Sequence, residues 1–514
     1  MKFFTSSQKI GSDFELCQCV SKKDAGQNIF MRQGQTIQMC TSGCIGLFKL
    51  MISIATKPLS TGRRILQLFL MILLSVMAQP LLAATYYVSQ YGNDINLGME
   101  KQPWATIQKA VNTLSAGDTV LIGPGTYSES VTMAGRSGQS GAPITIRASG
   151  NVVLAGSWNI GTSSAQSHYI IVDGVTFNSN LTIMGDYNIV QNCIFEGTSL
   201  GISWHPLSPK STGDIVKGNI FRNSGKIVVM ITGTNTSNIL IEDNTWQNSE
   251  GDAIRMFGTG HVFRKNVVTG LNETGFHADI FQVYGNNSEQ SNNMLIENNI
   301  FKDSTGSICM LEGTVSSNIS NWIFRNNIWV NVTGVGQISI PYTKWYNNTF
   351  ANSGTSTAGP LLFRNNGGAE YQSAHHTIIK NNFFIGCGSH SDGDNGWYHF
   401  VGDRSLFPGF EADYNYVTTT SAAGYGPKIG FFEPYGINGG DPEFVSYDGY
   451  DFNLQANSSA IDHGTSILGF SYDLEGTKRP SGSGWDIGAL EFAGSNSLTP
   501  PMKLRIATNW TGMQ

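Results

Sequence analysis

The chain has 514 residues, with 31 lysines and arginines against 37 aspartates and glutamates, a formal charge of −6. Only 13% of residues are charged, against roughly 25% in an average soluble protein, and 60 are glycine. This composition excludes a helical bundle, which needs Ala, Leu, Glu and Lys, and offers no basic footprint for nucleic acid. With 40% hydrophobic residues it also excludes a wholly disordered chain.

Residues 1–50 hold Cys17, Cys19, Cys40 and Cys44. Met51 opens a leader of ordinary length, so 1–50 reads as a doubtful leader upstream of the true start rather than as a metal-binding module. Arg63-Arg64, the apolar run 65–76 and the small-residue end 78–84 are the three parts of a secretory signal peptide over 51–84, cleaved after Ala84. The expectation is a secreted protein, extracellular or periplasmic, with no membrane span in the mature chain. That chain keeps Cys193, Cys309 and Cys387, which make no disulfide framework. Stability must then come from burial and backbone hydrogen bonds.

Tyr86-Tyr-Val-Ser reads as a strand. After Gln102-Pro-Trp104 a short helix carries Ile107, Ala110, Val111 and Leu114 on one face, placed to lie across an open coil. The strand Asp118-Thr-Val-Leu-Ile and the turn Gly123-Pro-Gly-Thr-Tyr127 begin a repeat. An apolar-x-x-Asn-x-aromatic phrase then recurs with its asparagine at 219, 244, 299, 327, 348 and 382, and with weaker copies at Cys193 and Asn266. From 193 to 382 the anchors advance in seven steps, a mean near 27 residues. That is the period of a solenoid, and no i, i+3, i+4, i+7 stripe makes it a helical one.

The predicted fold is all-β, a single-stranded right-handed parallel β-helix over 85–390. It has an N-terminal helix cap, and C-terminal coils with a β cap over 391–495. Residues 496–514 form a tail. Strands of successive coils should stack about 4.8 Å apart, with equivalent side chains in columns. The asparagines are expected at bends, where Asn tolerates left-handed backbone, and in a ladder along the axis. The aromatic two residues later should fill the core. Caps are needed because an open end is a sticky edge. The C-terminal run from Asp441-Pro-Glu-Phe444 to Asp486-Ile-Gly is expected to close the far end. Within it Asp462, Asp473 and Asp486 are read as turn formers.

Two coils contain strands that align at a fixed offset of 27: Asp252-Ala-Ile-Arg255-Met-Phe-Gly258 and Asp279-Ile-Phe-Gln282-Val-Tyr-Gly285. The next coil continues as Ser307-Ile-Cys-Met310-Leu-Glu312-Gly313. Alternation points Ile254, Met256, Phe281, Val283, Cys309 and Leu311 inward, and Arg255, Phe257, Gln282, Tyr284, Met310 and Glu312 outward. His205 and Arg364 fall on the same outward column in flanking coils. Asp252, His277 and Asp279 sit at the bend feeding the strand. Such a groove suits an extended sugar chain, with aromatic faces for rings and polar groups for hydroxyls.

The N-terminal run Tyr86-Tyr-Val-Ser, Gly92-Asn-Asp, Pro103-Trp-Ala-Thr-Ile-Gln-Lys-Ala-Val111 and Pro124-Gly-Thr-Tyr127 resembles the start of many secreted members of the pectate-lyase-like superfamily. Gly138-Gln-Ser-Gly-Ala-Pro-Ile-Thr-Ile146 is similar to the next segment of those families, alginate and chondroitin lyases among them. Ala460-Ile-Asp462, Arg479-Pro480 and Asp486-Ile-Gly488 resemble exported bacterial β-helix proteins. The resemblance covers nearly all of 85–514 and implies the fold. Lyases on this fold hold Ca²⁺ with acidic residues and use Lys or Arg as base. Neither the paired-Asp motif of polygalacturonases nor the Asp-Pro-His motif of mannuronan epimerases is present.

The expected function is therefore a polysaccharide lyase acting on an acidic, uronate-containing polysaccharide, as a monomer. Alternatives are a glycoside hydrolase or epimerase on the same fold, and a non-catalytic polysaccharide-binding or adhesion protein. In β-elimination the uronate carboxylate is neutralised by Arg255, or by a Ca²⁺ held by Asp252, Asp279 and Glu312. His277 or Tyr284 then removes the C5 proton. Gln282, Phe257, His205 and Arg364 would bind substrate. In hydrolysis Asp252 and Asp279, about 5 Å apart on adjacent coils, would have a retaining spacing.

Overall fold

The computed structural model describes residues 83–494, apart from 204–210, 226, 234, 273–276, 286–289, 356–358, 365–371, 388–397, 402–406 and 419–432. The leader, the signal segment up to residue 82, the tail from 495 and His205 lie outside the described residues.

Short strands follow one another around a closed path, three to a coil. Each pairs in parallel with its equivalent in the next coil, building sheets of 14, 13 and 11 strands. Registers run without slippage over long stretches. Ile189 faces Ile215, which faces Leu240, which faces Val262. A parallel strand that returns to its own sheet does so by a right-handed crossover. The coil is accordingly a right-handed parallel β-helix. Among the described strands, Phe444–Ser446 and Asp451–Leu454 pair antiparallel as a hairpin.

Inside, apolar columns alternate with outward polar ones. Ile254 and Met256 are fully buried around half-buried Arg255. Rings stack coil on coil: Phe195 to Phe221 at 4.7 Å, Phe221 to Trp246 at 4.8 Å and Phe301 to Trp329 at 3.9 Å. These are the aromatics placed two residues after each anchor, and their offset stacking adds to the burial they contribute.

The ladder is continuous. Each anchor asparagine donates from Nδ2 to Oδ1 of the next, from Asn219 through Asn244, Asn266, Asn299, Asn327, Asn348 and Asn382 to Asn415, over 2.9–3.2 Å. Each Oδ1 also accepts the backbone N–H of the preceding rung, beginning with Cys193 N to Asn219. Glu433 takes the end position, where its Oε2 accepts Asn415 N and Nδ2. One expectation is corrected. The left-handed backbone belongs to the residue before the anchor, at Asn192, Asp243, Asn298, Asn326, Asn347 and Asn381, with Gly218 in the same place. The anchor needs its inward direction for hydrogen bonding, so the turn falls one residue earlier.

At the N-side the helix Ile107–Val111 buries Ile107, Ala110 and Val111. Asp94 accepts Ala105 N and Thr106 N, and Glu129 accepts Ile107 N and Gln108 N, so the first-turn donors are satisfied. The C-terminal segment packs against the side of the coils. Asn347 donates to Asp486 O and Gly488 O, Asn381 to Thr465 O and Asn326 to Tyr472 O. Buried Arg479 pairs with Glu491 and donates to Gly488 O and Asn326 Oδ1. The segment thus runs along the flank of the coils, bound to the left-handed asparagines. Asp473 accepts Glu475 N and Thr477 N, and Asp486 accepts Asp462 N, as turn formers do.

Candidate functional site

The strands Ile254–Met256, Asp279–Val283 and Ser307–Glu312 are neighbours in the 11-stranded sheet. Ile254 pairs with Phe281 and Arg255 with Gln282, the expected offset of 27. Asp279 pairs with Ser307 and Gln282 with Met310. Arg255, Gln282 and Met310 therefore form one outward column.

At the entry to these strands one arrangement is built twice. Asp252 Oδ2 receives Arg255 Nε at 2.7 Å and Nη2 at 2.6 Å. One coil on, Asp279 Oδ2 receives Gln282 Nε2 at 3.1 Å. The coils are tied together because Asp279 N donates to Asp252 Oδ1 at 3.1 Å. Both carboxylates are buried, at 3% and 1% exposure. Burial, with the Asp252 charge beside it, pushes the Asp279 carboxyl up to about 7. His277 stands over it with Nδ1 3.0 Å from Asp279 Oδ2 and its side chain 54% exposed. The result is an accessible imidazole backed by a buried acid.

Tyr284 is 43% exposed. Its ring carries the Arg255 guanidinium 5.5 Å from its centroid and packs edge-on to Phe257. Gln282 is 6% exposed and its Oε1, inside the cluster, has no hydrogen-bond partner. Arg364 Nε is likewise unpartnered. Its Nη1 lies 4.0 Å from Glu312 Oε1 across two coils.

His277, Asp279, Asp252, Arg255, Gln282 and Tyr284 therefore come together. Two expectations change. Glu312 does not join the acidic group, because it aligns with Tyr284 at the other end of the strand, about five residues or 16 Å from Ser307. The ligand-type atoms lying within 4.8 Å of one another belong instead to Asp252, His277 and Asp279. Phe257 points outward but is only 3% exposed, since Tyr284 covers it. It supports Tyr284 rather than offering a face. Ser307, a hydrogen-bond partner of Asp279, was not singled out as a site residue, although it opens the third aligned strand.

A buried imidazole, His261, sits behind the site. It accepts Ile239 N at Nδ1 and contacts Phe257 O at Nε2, and burial lowers it to about 4. Both nitrogens are used, so it is a core residue.

The fold is a right-handed parallel β-helix whose 11-stranded sheet carries this polar cluster on its outer side. Residues 111–308, which contain the cluster, match the family model described as "Periplasmic copper-binding protein (NosD)". The uncharacterized protein YwoF of Bacillus subtilis (strain 168) is 42% identical over 72 residues. That match spans 14% of this chain and only 15% of the relative's length. Similar solved structures include pectate lyase Pel9A, 16% identical over 80% of this chain and 96% of that one, with a TM-score of 0.38. Another is a mannuronic acid-specific polysaccharide family 6 lyase from human gut microbiota, 16% identical over 66% of this chain and 87% of that one, TM-score 0.45. A third is the family 6 alginate lyase AlyGC, 15% identical over 66% and 53%, TM-score 0.44. Among the described residues no helix is long and apolar enough to cross a membrane.

Proposed function

We propose that the protein is an exported, monomeric polysaccharide lyase that cleaves an acidic, uronate-containing polysaccharide by β-elimination at the Asp252–Arg255–His277–Asp279 cluster. The observation that carries this reading is the half-exposed His277 held by buried Asp279 beside a guanidinium. Elimination needs a cation for the uronate carboxylate and a base for the C5 proton. Arg255, kept in place by Asp252 and the Tyr284 ring, meets the carboxylate and stabilises the charge that develops as the proton leaves. His277 uses Nδ1 for Asp279, so Nε2 takes the proton, and Asp279 stabilises the imidazolium. The Tyr284 hydroxyl donates to the departing glycosidic oxygen. Gln282 braces Asp279 from within the cluster, and the partly exposed Arg364 holds a second carboxylate along the sheet. The leader over 51–84 supplies export.

Ca²⁺ does not fit the cluster. It takes six to eight oxygen ligands, whereas the two carboxylates here already serve Arg255, Gln282, His277 and a backbone N–H. No step is routed through it. Imidazole with carboxylate suits Cu²⁺ or Zn²⁺ better, and the match of 111–308 to a copper-binding family favours a second reading as a metal-binding protein. The hydrolase reading is weaker, because Asp252 and Asp279 are both buried and neither faces a glycosidic bond.

The test is absorbance in the unsaturated-uronate band on pectate, alginate and glycosaminoglycans, with and without chelator. Turnover that survives chelator and is lost in His277→Ala is the expected result. Silence on every acidic polymer, together with Cu²⁺ binding that His277→Ala abolishes, would replace the lyase by the metal-binding reading. Turnover should also fall as pH drops below about 7, where the buried Asp279 carboxyl takes up its proton and no longer backs the imidazole with a charge.

A further inference from the structure

A concave feature lies away from the cluster, where the C-terminal segment meets the 13-stranded sheet. It is a cavity of about 230 Å³. Buried Val330 and Phe452 form its floor. Tyr447 and Tyr450, half-buried, line it from a turn closed by Tyr450 N donating to Tyr447 O at 3.0 Å. Asn331 and Asn352 line the side of the coils. Their direction is fixed, since both take left-handed backbone, at φ +55 and +48. Asn352 Nδ2 donates to Asn331 Oδ1 at 2.7 Å, and Asn331 Nδ2 donates to Tyr450 Oη at 2.5 Å and to Asp303 Oδ1 at 3.0 Å. Exposed Asp448 completes the rim.

Two tyrosine rings over an apolar floor, with amides and one carboxylate at the edge, match a pyranose: ring C–H faces stack on the aromatics, and hydroxyls meet Asn352 and Asp448, since Asn331 is already committed to Asp303, Tyr450 and Asn352. The size limits the ligand. Pockets for drug-sized molecules run from roughly 300 to 1,000 Å³, so this one takes a single ring. The charge limits it further. No lining residue is cationic, and the exposed Asp448 is on the rim; Asp303, behind Asn331, is paired with Lys302 and adds little. An anionic sugar would be repelled.

We infer that this cavity is a subsite for one neutral pyranose unit, separate from the charged groove and independent of its chemistry. The neutral unit would be a backbone or branch sugar of the polymer the protein meets.

The test uses the full chain and saturation-transfer NMR with glucose, galactose, mannose, xylose and rhamnose, and with galacturonate as the charged contrast. Saturable millimolar binding of at least one neutral sugar is expected, weakened tenfold or more in Tyr447→Ala and unchanged in His277→Ala. Asp448→Lys, at an exposed turn position, should admit galacturonate without loss of fold. Should Tyr447→Ala unfold, Asp448→Lys alone decides. Failure of every neutral sugar to saturate, or galacturonate bound no better in Asp448→Lys than in the parent, overturns the inference. Neither outcome depends on whether the groove turns over polymer.

Discussion

Two polar columns run along this coil, and they differ in one respect. The internal column from Asn219 to Asn415 has its amides matched rung to rung, and it ends on Glu433, whose Oε2 accepts the last amide while Oε1 has no partner. The external column is unfinished. Gln282 Oε1 and Arg364 Nε lack partners, and His277 and Tyr284 stand partly in solvent. Burying an unpaired polar group costs about 1–3 kcal/mol. Repetition alone does not mark function, since both columns repeat coil by coil; reactive side chains that reach solvent, His277 and Tyr284, do.

The comparison breaks most sharply at His277. His277→Ala should lower turnover by about 10²–10⁴-fold, the usual worth of a positioned base. Because the ring is half exposed, the melting temperature should hardly move; a large drop would return His277 to the structural column. Asn327→Ala should do the reverse. It removes the acceptor for Asn299 N and Nδ2 and the donor to Ile296 O and Asn348 Oδ1, all buried. Chemical denaturation should register a loss of about 3 kcal/mol or more, with KM unchanged.

Glu433 sharpens the comparison through pH. Burial pushes its carboxyl up to about 7. The unfolded chain therefore releases this proton at lower pH than the folded one. The stabilising contribution is complete below the ordinary Glu range and is lost as pH rises to about 7. Melting curves of Glu433→Gln, which keeps an acceptor for Asn415, should be less pH-dependent over that window. Above about 7 the variant should be more stable by roughly 1–3 kcal/mol. The smallest effect is expected at Arg364→Ala. Arg364 and Glu312 are both partly exposed at 4.0 Å, so stability should change by under about 1 kcal/mol. KM should rise severalfold with kcat unchanged; an unchanged KM would remove Arg364 from the groove.

Much of this was readable from residue order. The Asn-x-aromatic phrase marks the ladder and the ring stack together, because one periodicity places both. The offset between Asp252 and Asp279 was equally legible, since aligned strands in a register-true coil must stack. Position along a strand was harder. Glu312 carries the right chemistry, but only the pairing of Asp279 with Ser307 reveals how far along the strand it lies. Phe257 alternates outward as expected and is then covered by a neighbour one coil on. The left-handed residue before each anchor was missed because Asn-Asn pairs such as Asn298-Asn299 offer two candidates with one letter. The cavity beside Tyr447 had no signal in order at all, because it forms where distant segments meet.

The ladder has a mechanical consequence. Rung and strand hydrogen bonds alike point along the axis, so tension applied between the two ends loads coils in series rather than shearing them together. Under force the protein should come apart as a stack of layers. Optical-trap traces are expected to step by one coil, near 27 residues on the anchor spacing. Because the C-terminal segment grips the flank at Asn326, Asn347 and Asn381, the coils it spans should yield last, and peeling should advance from the N-terminal end.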